Sequence, residues 1–142
     1  NSKRIFISRQ NLRLKYITNM PEVENIFRKF KIDIFYAGEK NLENDVRLFS
    51  DAELIIVPRG AGLANMIFSK KCHVIEVAHY TNWEKDIFYS TALEFGLTFD
   101  SVQANRDVAF EESSDIKEAW YVDPLLLEEA ILRSPNLNFG KY

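Results

Sequence analysis

Two of the five glycines in this 142-residue sequence fall within three positions of each other, in Pro58-Arg59-Gly60-Ala61-Gly62. Glycine permits positive φ there and lets a ligand approach the backbone with no Cβ in the way. The stretch follows the apolar run Glu53-Leu54-Ile55-Ile56-Val57 and precedes Leu63-Ala64-Asn65-Met66-Ile67-Phe68, which reads as a short helix. Such a turn points the unpaired N–H groups and partial positive charge of a helix start at whatever docks against it. A diphosphate suits that geometry, and Arg59 adds a charge-assisted, bidentate contact. A second segment, Ser8-Arg9-Gln10-Asn11, follows the apolar run Ile5-Phe6-Ile7. It lies in a stretch from Asn1 to Lys15 that holds Lys3, Arg4, Arg9, Arg13 and Lys15 and no acid. Each segment alone has a plainer reading: a tight turn in which Gly62 allows close helix packing, and a solvated basic edge. Together they point at phosphate. The expected diphosphate contacts are Ser8, Arg9, Arg59, Gly60, Ala61, Gly62 and Leu63. Glu39, Asn65 and Glu76 are candidates for the nucleoside or sugar, against the plainer roles of loop acid, helix-start residue and strand-end acid. Tyr80 and Trp83 either stack on a ligand or pack in the interior, and His79 reads as a loop histidine.

Composition narrows the chemistry. Apolar residues make up 46% and charged residues 27%, an ordinary balance for a soluble globular domain. Eighteen Lys and Arg against 21 Asp and Glu give a net charge of −3, which argues against a nucleic-acid-coating protein. The charge is uneven: residues 1–50 carry ten basic and six acidic side chains, residues 51–142 eight and fifteen. Apolar runs are far shorter than the roughly 20 residues that span a bilayer. Cys72 is the one cysteine, so there is neither an internal disulfide nor a CxxC metal site. His73 and His79 are too few to complete a zinc site, and no metal is expected.

The elements that must position these residues alternate. A first strand over Arg4–Ser8 is followed by a helix that Asn19 caps, with Pro21 in its first turn and Glu22 completing a capping box. Val23, Ile26, Phe27 and Phe30 fall on one face of that helix. Ile32 to Tyr36 reads as a second strand, and a helix capped by Asn41 or Asn44 turns Val46, Phe49 and Ala52 inward. Glu53 to Val57 is a third strand, apolar enough to be buried on both faces, and Pro58 stops it. His73 to Val77 is a fourth strand, a helix runs from about Trp83 to Phe95 with Gly96 as its C′ residue, and Leu97-Thr98-Phe99 is a fifth strand. Residues 100–118 read as an exposed loop. Asp123-Pro124 starts a last helix, Leu125 to Leu132. Strand–helix alternation of this kind specifies α/β: a Rossmann-like, three-layer domain with a parallel sheet between helices. In such sheets ligands bind at the carboxyl ends of the strands, which is where both segments lie. The dinucleotide fingerprint fits poorly. Asn65 replaces its last glycine, and the glycine turn follows the third strand rather than the first.

In order along the chain, Ile5-Phe6-Ile7-Ser8-Arg9, Ile17-Thr18-Asn19, Glu22-Val23, Val46-Arg47-Leu48-Phe49-Ser50-Asp51-Ala52, Pro58-Arg59-Gly60-Ala61-Gly62-Leu63-Ala64-Asn65-Met66-Ile67-Phe68 and Val74-Ile75-Glu76-Val77 resemble the C-terminal half of the family 61 glycosyltransferases. The resemblance covers roughly residues 3–99, and Tyr121-Val122-Asp123 also fits. The family includes plant xylosyl- and arabinosyltransferases, animal O-linked N-acetylglucosaminyltransferases and bacterial capsular polysaccharide enzymes. It implies the nucleotide-sugar-binding, C-terminal half of a GT-B-like enzyme, using a UDP-sugar without an obligatory metal and inverting the anomeric carbon. Arg59 stands where the family usually has histidine. An arginine stays charged and cannot shuttle a proton, but it neutralises a diphosphate better than a neutral imidazole does.

On that resemblance, residues 1–142 are expected to be one donor-binding domain of a longer transferase of polysaccharide or glycan biosynthesis. The general base and the glycan acceptor pocket would come from an N-terminal domain, and the isolated chain would be inactive. Expected partners are the nucleotide sugar and the acceptor, with no nucleic acid and no membrane contact. The bacterial cytoplasm is the expected compartment, or the Golgi or ER lumen for a domain excised from a secretory-pathway enzyme. The alternative is a non-catalytic nucleotide-sugar-binding or protein-interaction domain that docks a partner through its acidic segment, residues 107–118. A dehydrogenase-like domain is the weaker third choice.

Overall fold

Runs of β-branched and aromatic residues become strands, and the pairing of those strands fixes the architecture. A computed structural model describes residues 3–13, 15–36, 50–59, 72–79, 94 and 96–135. Its strands are β1 (Lys3–Ser8), β2 (Tyr16–Ile17), β3 (Asp33–Tyr36), β4 (Ala52–Pro58), β5 (His73–Ala78), β6 (Thr98–Gln103), β7 (Asn105–Arg106) and β8 (Ala119–Tyr121). Its helices are α1 (Met20–Lys29), α2 (Val108–Glu112) and α3 (Pro124–Leu132). Five strands form one sheet in the order β3-β1-β4-β5-β6, and all four pairings are parallel. From β1 the chain moves to one side, to β3, and then crosses back to β4 on the other side. The domain is therefore α/β and Rossmann-like, as the alternation predicts.

The sheet is buried on both faces, which is why β4 and β5 read as near-continuous apolar runs. On one face α1 and α3 cover Phe6, Leu54, Ile56, Ile75 and Val77 through Val23, Phe27, Leu127 and Ile131. Ile5, Ile7, Ile55, Val57, Val74 and Leu97 cluster on the other. The predicted helices, one capped by Asn41 or Asn44 and reaching Ala52, one over 63–68 and one over 83–95, lie outside the described residues except at Ser50, Asp51, Ala52 and Glu94. Ser50, Asp51 and Glu94 are helical. Ala52 is not: it opens β4 opposite Lys3, and an extra residue at Glu53 shifts the register before Arg4 meets Leu54. Gly96 has φ +71, the left-handed conformation expected of a C′ glycine.

The predicted face of α1 is the buried one, but its start is built differently. Asn19 sits at the N-cap and its side chain makes no cap hydrogen bond. Instead its Nδ2 donates to the Val122 carbonyl (2.7 Å) and its Oδ1 accepts from the Val122 N–H (3.0 Å), so the amide imitates a strand partner. This pairing ties the first third of the chain to the last, and Asn19 is buried. Asn19→Ala strands two buried backbone groups and is expected to cost about 2–4 kcal/mol, read as a lower urea midpoint at unchanged slope.

The segment 100–118 is ordered, contrary to the loop expectation. β6 continues to Gln103, and β7 pairs antiparallel with β8, which pairs parallel with β2, giving a small sheet of order β2-β8-β7. Pieces of two or three residues carry too little alternation to be read as strands. Asp107 caps α2 by accepting from the Phe110 N–H at 3.1 Å, and also accepts from Thr18 Oγ1 at 2.8 Å. Arg106 grips both carboxylate oxygens of Glu111, and together with a hydrogen bond from the Ala119 N–H this pulls the Glu111 carboxyl down to about 2. Asp123 and Pro124 start α3 as predicted, with Asp123 accepting from the Leu125 N–H.

Candidate functional site

In a doubly wound sheet the ligand crevice opens where chain direction reverses, between the carboxyl ends of the central strand and its returning neighbour. Here those strands are β1 and β4. Their ladder runs from Lys3 opposite Ala52 to Phe6 opposite Ile56, and the two chains leave the sheet just beyond, at Ser8 and Pro58. Arg9 and Arg59 are the next residues on each. The two segments singled out by residue type are thus neighbours on one edge of the sheet.

Ser8 is fully buried and its Oγ accepts from the Gln10 N–H (3.1 Å), which turns the chain sharply after β1. A 3-10 turn follows at Gln10–Leu12. The Gln10 side chain then clasps β2, donating to the Ile17 carbonyl (3.0 Å) and accepting from its N–H (2.6 Å). Arg13 and Lys15 both have left-handed backbones, φ 57 and φ 50. Arg13 does so as the C-cap of the 3-10 turn, and Lys31 after α1 shares the conformation. Arg9 Nε is buried without a hydrogen-bond partner. An unpartnered buried donor is rare and carries a desolvation cost that an incoming acceptor relieves.

Across the crevice, the Arg59 N–H extends the β4–β5 ladder by donating to the Val77 carbonyl (2.9 Å). Its guanidinium lies over Glu76, with Nη1 3.4 Å from each carboxylate oxygen. Glu76 is in register with Val57 and has no exposed surface. Burial pushes its carboxyl above the ordinary range, against the opposing pull of Arg59 and, more weakly, Lys15. The Glu76 carboxylate makes its ion pair with Arg59. Between the two arginines, the Lys15 ammonium donates to the Arg59 carbonyl. Burial lowers its pKa, Glu118 and Glu76 hold it up, and Arg9 and Arg59 add to the lowering.

The acid-free N-terminal stretch divides in the fold. Arg9 and Lys15 join Arg59 at the crevice. Arg4 points elsewhere: its Nε donates to Glu53 (2.9 Å) and its Nη1 to the Phe30 carbonyl at the end of α1 (2.9 Å). Arg13 pairs with Asp115 on the surface. Lys15 escaped sequence reasoning as a site residue. The signals for Lys15 were the basic stretch and the basic residue that family 61 glycosyltransferases tend to have where Tyr16 stands, and neither distinguishes it from Arg13. Among the other expected contacts, Gly60, Ala61, Gly62, Leu63, Glu39 and Asn65 lie outside the described residues, as do Tyr80 and Trp83. His79 is exposed after β5, with Nδ1 3.0 Å from the Ala104 carbonyl. His73 and Cys72 are buried at the amino end of β5, away from the crevice. Among the described residues no group of three or more His, Cys, Asp and Glu is placed to hold a metal ion.

A family model described as Glycosyltransferase 61 matches residues 1–75, which take in both crevice loops and the strands that carry them. The chain belongs to glycosyltransferase family 61. No curated protein matches it. In this family 61 chain Arg9 and Arg59 follow directly on the two strands, β1 and β4, between which the chain direction reverses. Gly60-Ala61-Gly62 comes in the sequence after β4, the third strand of the main sheet in chain order and not the first, unlike the dinucleotide fingerprint. Two acids of the segment expected to dock a partner, Asp107 and Glu111, are engaged inside the domain. No helix among the described residues of the family 61 chain is long and apolar enough to cross a membrane.

Proposed function

We propose that this domain binds the diphosphate of a UDP-sugar in the crevice between β1 and β4 and supports inverting transfer of the sugar to a glycan acceptor. One observation carries the proposal: Arg9, Lys15 and Arg59, drawn from two loops, meet at the switch point of a doubly wound sheet. In an inverting transfer the acceptor oxygen forms a bond to the anomeric carbon as the bond from that carbon to the diphosphate oxygen breaks. The acceptor proton goes to a general base, and the departing nucleotide carries the electron pair and the growing negative charge. Fixed cations aimed at that charge stabilise the transition state without reorganising. Arg9 and Arg59 supply forked donors and Lys15 a point charge, so the leaving group is neutralised by the protein without an obligatory metal.

The described carboxylates nearest the crevice are committed, Glu76 beneath Arg59 and Glu118 to the Trp120 indole. Among the described residues no free carboxylate stands at the crevice to serve as the general base, and this domain is assigned the donor rather than the acceptor. Arg59, in the position where this family usually has histidine, is proposed to act on the diphosphate and not on a proton.

Calorimetric titration of the full chain with UDP, UDP-sugars and NAD, each with magnesium and with EDTA, tests this. Binding of UDP and of at least one UDP-sugar, unchanged by EDTA, is the expected result. Absence of heat with every uridine ligand, or tight binding of NAD alone, overturns the assignment.

A further inference from the structure

Residues two apart on a strand share a face of the sheet. Val57 of β4 is in register with Glu76 of β5, and the Arg59 N–H carries that ladder further by donating to the Val77 carbonyl at 2.9 Å. Val57, Glu76 and Arg59 therefore lie on one face, the face on which Val57 and Val74 cluster. The Arg59 side chain folds back along it, and Nη1 sits 3.4 Å from each carboxylate oxygen of Glu76. Glu76 is the only buried carboxylate among the described residues, in a strand where His73 is the one other polar residue. Stability does not explain an acid there. Replacing a buried ion pair by apolar residues of similar volume is often neutral or stabilising, so the pair serves something other than the fold.

Resting on the donor-site reading, we propose that Glu76 is a positioning residue for the diphosphate: its carboxylate holds the Arg59 guanidinium at the end of β4, so that the cation is in place before the nucleotide arrives. A long side chain on an unanchored stem loses rotamer freedom when it binds, and a preorganised one does not. Both ends of the hold are fixed by the same ladder, Glu76 through the pairing of β4 with β5 and Arg59 through its own N–H. The described charged groups that face Glu76 are Arg59 from the loop after β4 and, more weakly, Lys15 from the loop before β2. Lys15 donates to the Arg59 carbonyl, so it meets the same residue at its backbone. Glutamine at position 76 keeps the volume and one acceptor but loses the charge. Its loss leaves the crevice more positive, which by itself tightens an anion, whereas a guanidinium no longer held weakens it. The two effects have opposite signs, and binding distinguishes them.

The test uses the full chain with Glu76→Gln, and with Glu76→Asp, which keeps the charge but draws it back by one methylene. Heteronuclear NMR of the Arg59 Nε–H, without ligand, is expected to show a rigid side chain in the wild type and a mobile one in E76Q. E76Q is expected to bind a UDP-sugar about tenfold more weakly, with E76D between it and the wild type and uridine affinity unchanged. Wild-type affinity for the UDP-sugar is expected to fall toward that of E76Q as pH is lowered and Glu76 takes up its proton, while E76Q stays level. If E76Q does not fold, the wild-type profile and the wild-type Arg59 signal over the same pH range decide. UDP-sugar binding by E76Q that is unchanged or tighter, or a level wild-type profile, overturns the positioning role. An equal loss for uridine makes Glu76 a nucleoside contact and overturns it as well. An Arg59 side chain as rigid in E76Q as in the wild type overturns the hold whatever the ligand does. A wild type that binds no UDP-sugar overturns the donor-site reading, and the ligand-free Arg59 signal still decides whether Glu76 holds the arginine.

Discussion

Arg9→Ala is expected to weaken UDP binding by about a hundredfold, with a melting temperature equal to or slightly above that of the wild type. Hydrogen bonds to charged groups are worth about 1.5–3 kcal/mol each, and a forked guanidinium–phosphate contact uses two. The stability half of the expectation follows from the free protein. Arg9 Nε is buried with nothing to donate to, so truncation removes an unsatisfied donor and breaks no described side-chain bond. A residue whose removal costs affinity and spares the fold is one kept for a ligand. Arg9→Lys separates charge from shape: it keeps the positive field and loses the planar fork, so it is expected to recover only part of the affinity. Parallel calorimetry and differential scanning fluorimetry on the full chain read both quantities. Wild-type affinity in R9A would remove Arg9 from the site.

Arg59→Leu is expected to destabilise the domain by about 3 kcal/mol at pH 8 and by much less near pH 4, as measured by urea denaturation. The cause is Glu76, which has no exposed surface and loses its guanidinium partner, and an orphaned buried charge is among the costliest single changes. In the wild type, burial already holds the Glu76 carboxyl above the ordinary range, while Arg59 and Lys15 pull it back. A carboxyl that keeps its proton more tightly folded than unfolded gives stability at low pH, lost as pH rises from its unfolded value to its folded one. Without Arg59 the folded value climbs further, so the loss extends over a wider interval and levels off at higher pH. Below the unfolded value the group is protonated in both states, and the variant and wild type converge apart from lost packing. Adding Glu76→Leu to Arg59→Leu is expected to restore most of the stability while leaving UDP binding impaired. A deficit in R59L that is independent of pH would show that the ion pair is not its source.

Stability and binding therefore meet at Arg59 and separate at Arg9. One arginine is held over a buried acid and presented from a ladder; the other waits with an unpaired donor. Their joint placement follows from the crossover that returns the chain to β4 beside β1. Lys15, with a left-handed backbone, reaches the Arg59 carbonyl from the loop before β2.

Much of this was legible in local residue order. Ile5-Phe6-Ile7 and Leu54 to Val57 announced strands, Val23, Ile26, Phe27 and Phe30 a helix face, and Asp123-Pro124 a helix start, because each signal spans only a few residues. The glycine-flanked Arg59 and the Ser8-Arg9 step were recognisable for the same reason. Misreadings came where a side chain found a distant partner that outcompeted its local one. Asn19 leaves its own helix for the backbone of Val122, and Ala52 joins a ladder with Lys3. Of the acids after Gln103, Asp107 takes the Phe110 amide and Glu111 takes Arg106, while Glu112 and Asp115 stay exposed.

The sequence by itself determined the kinds of elements, their order and the two cationic loops that follow strands, since period, propensity and turn chemistry act over single turns of chain. Only the tertiary structure decided which cations share a site. It removed Arg4 to Glu53 and Arg13 to Asp115, and brought Lys15 in against Arg59. Those outcomes depend on strand order and register, which are settled by burying whole faces of the sheet at once and leave no trace in any short stretch of residues.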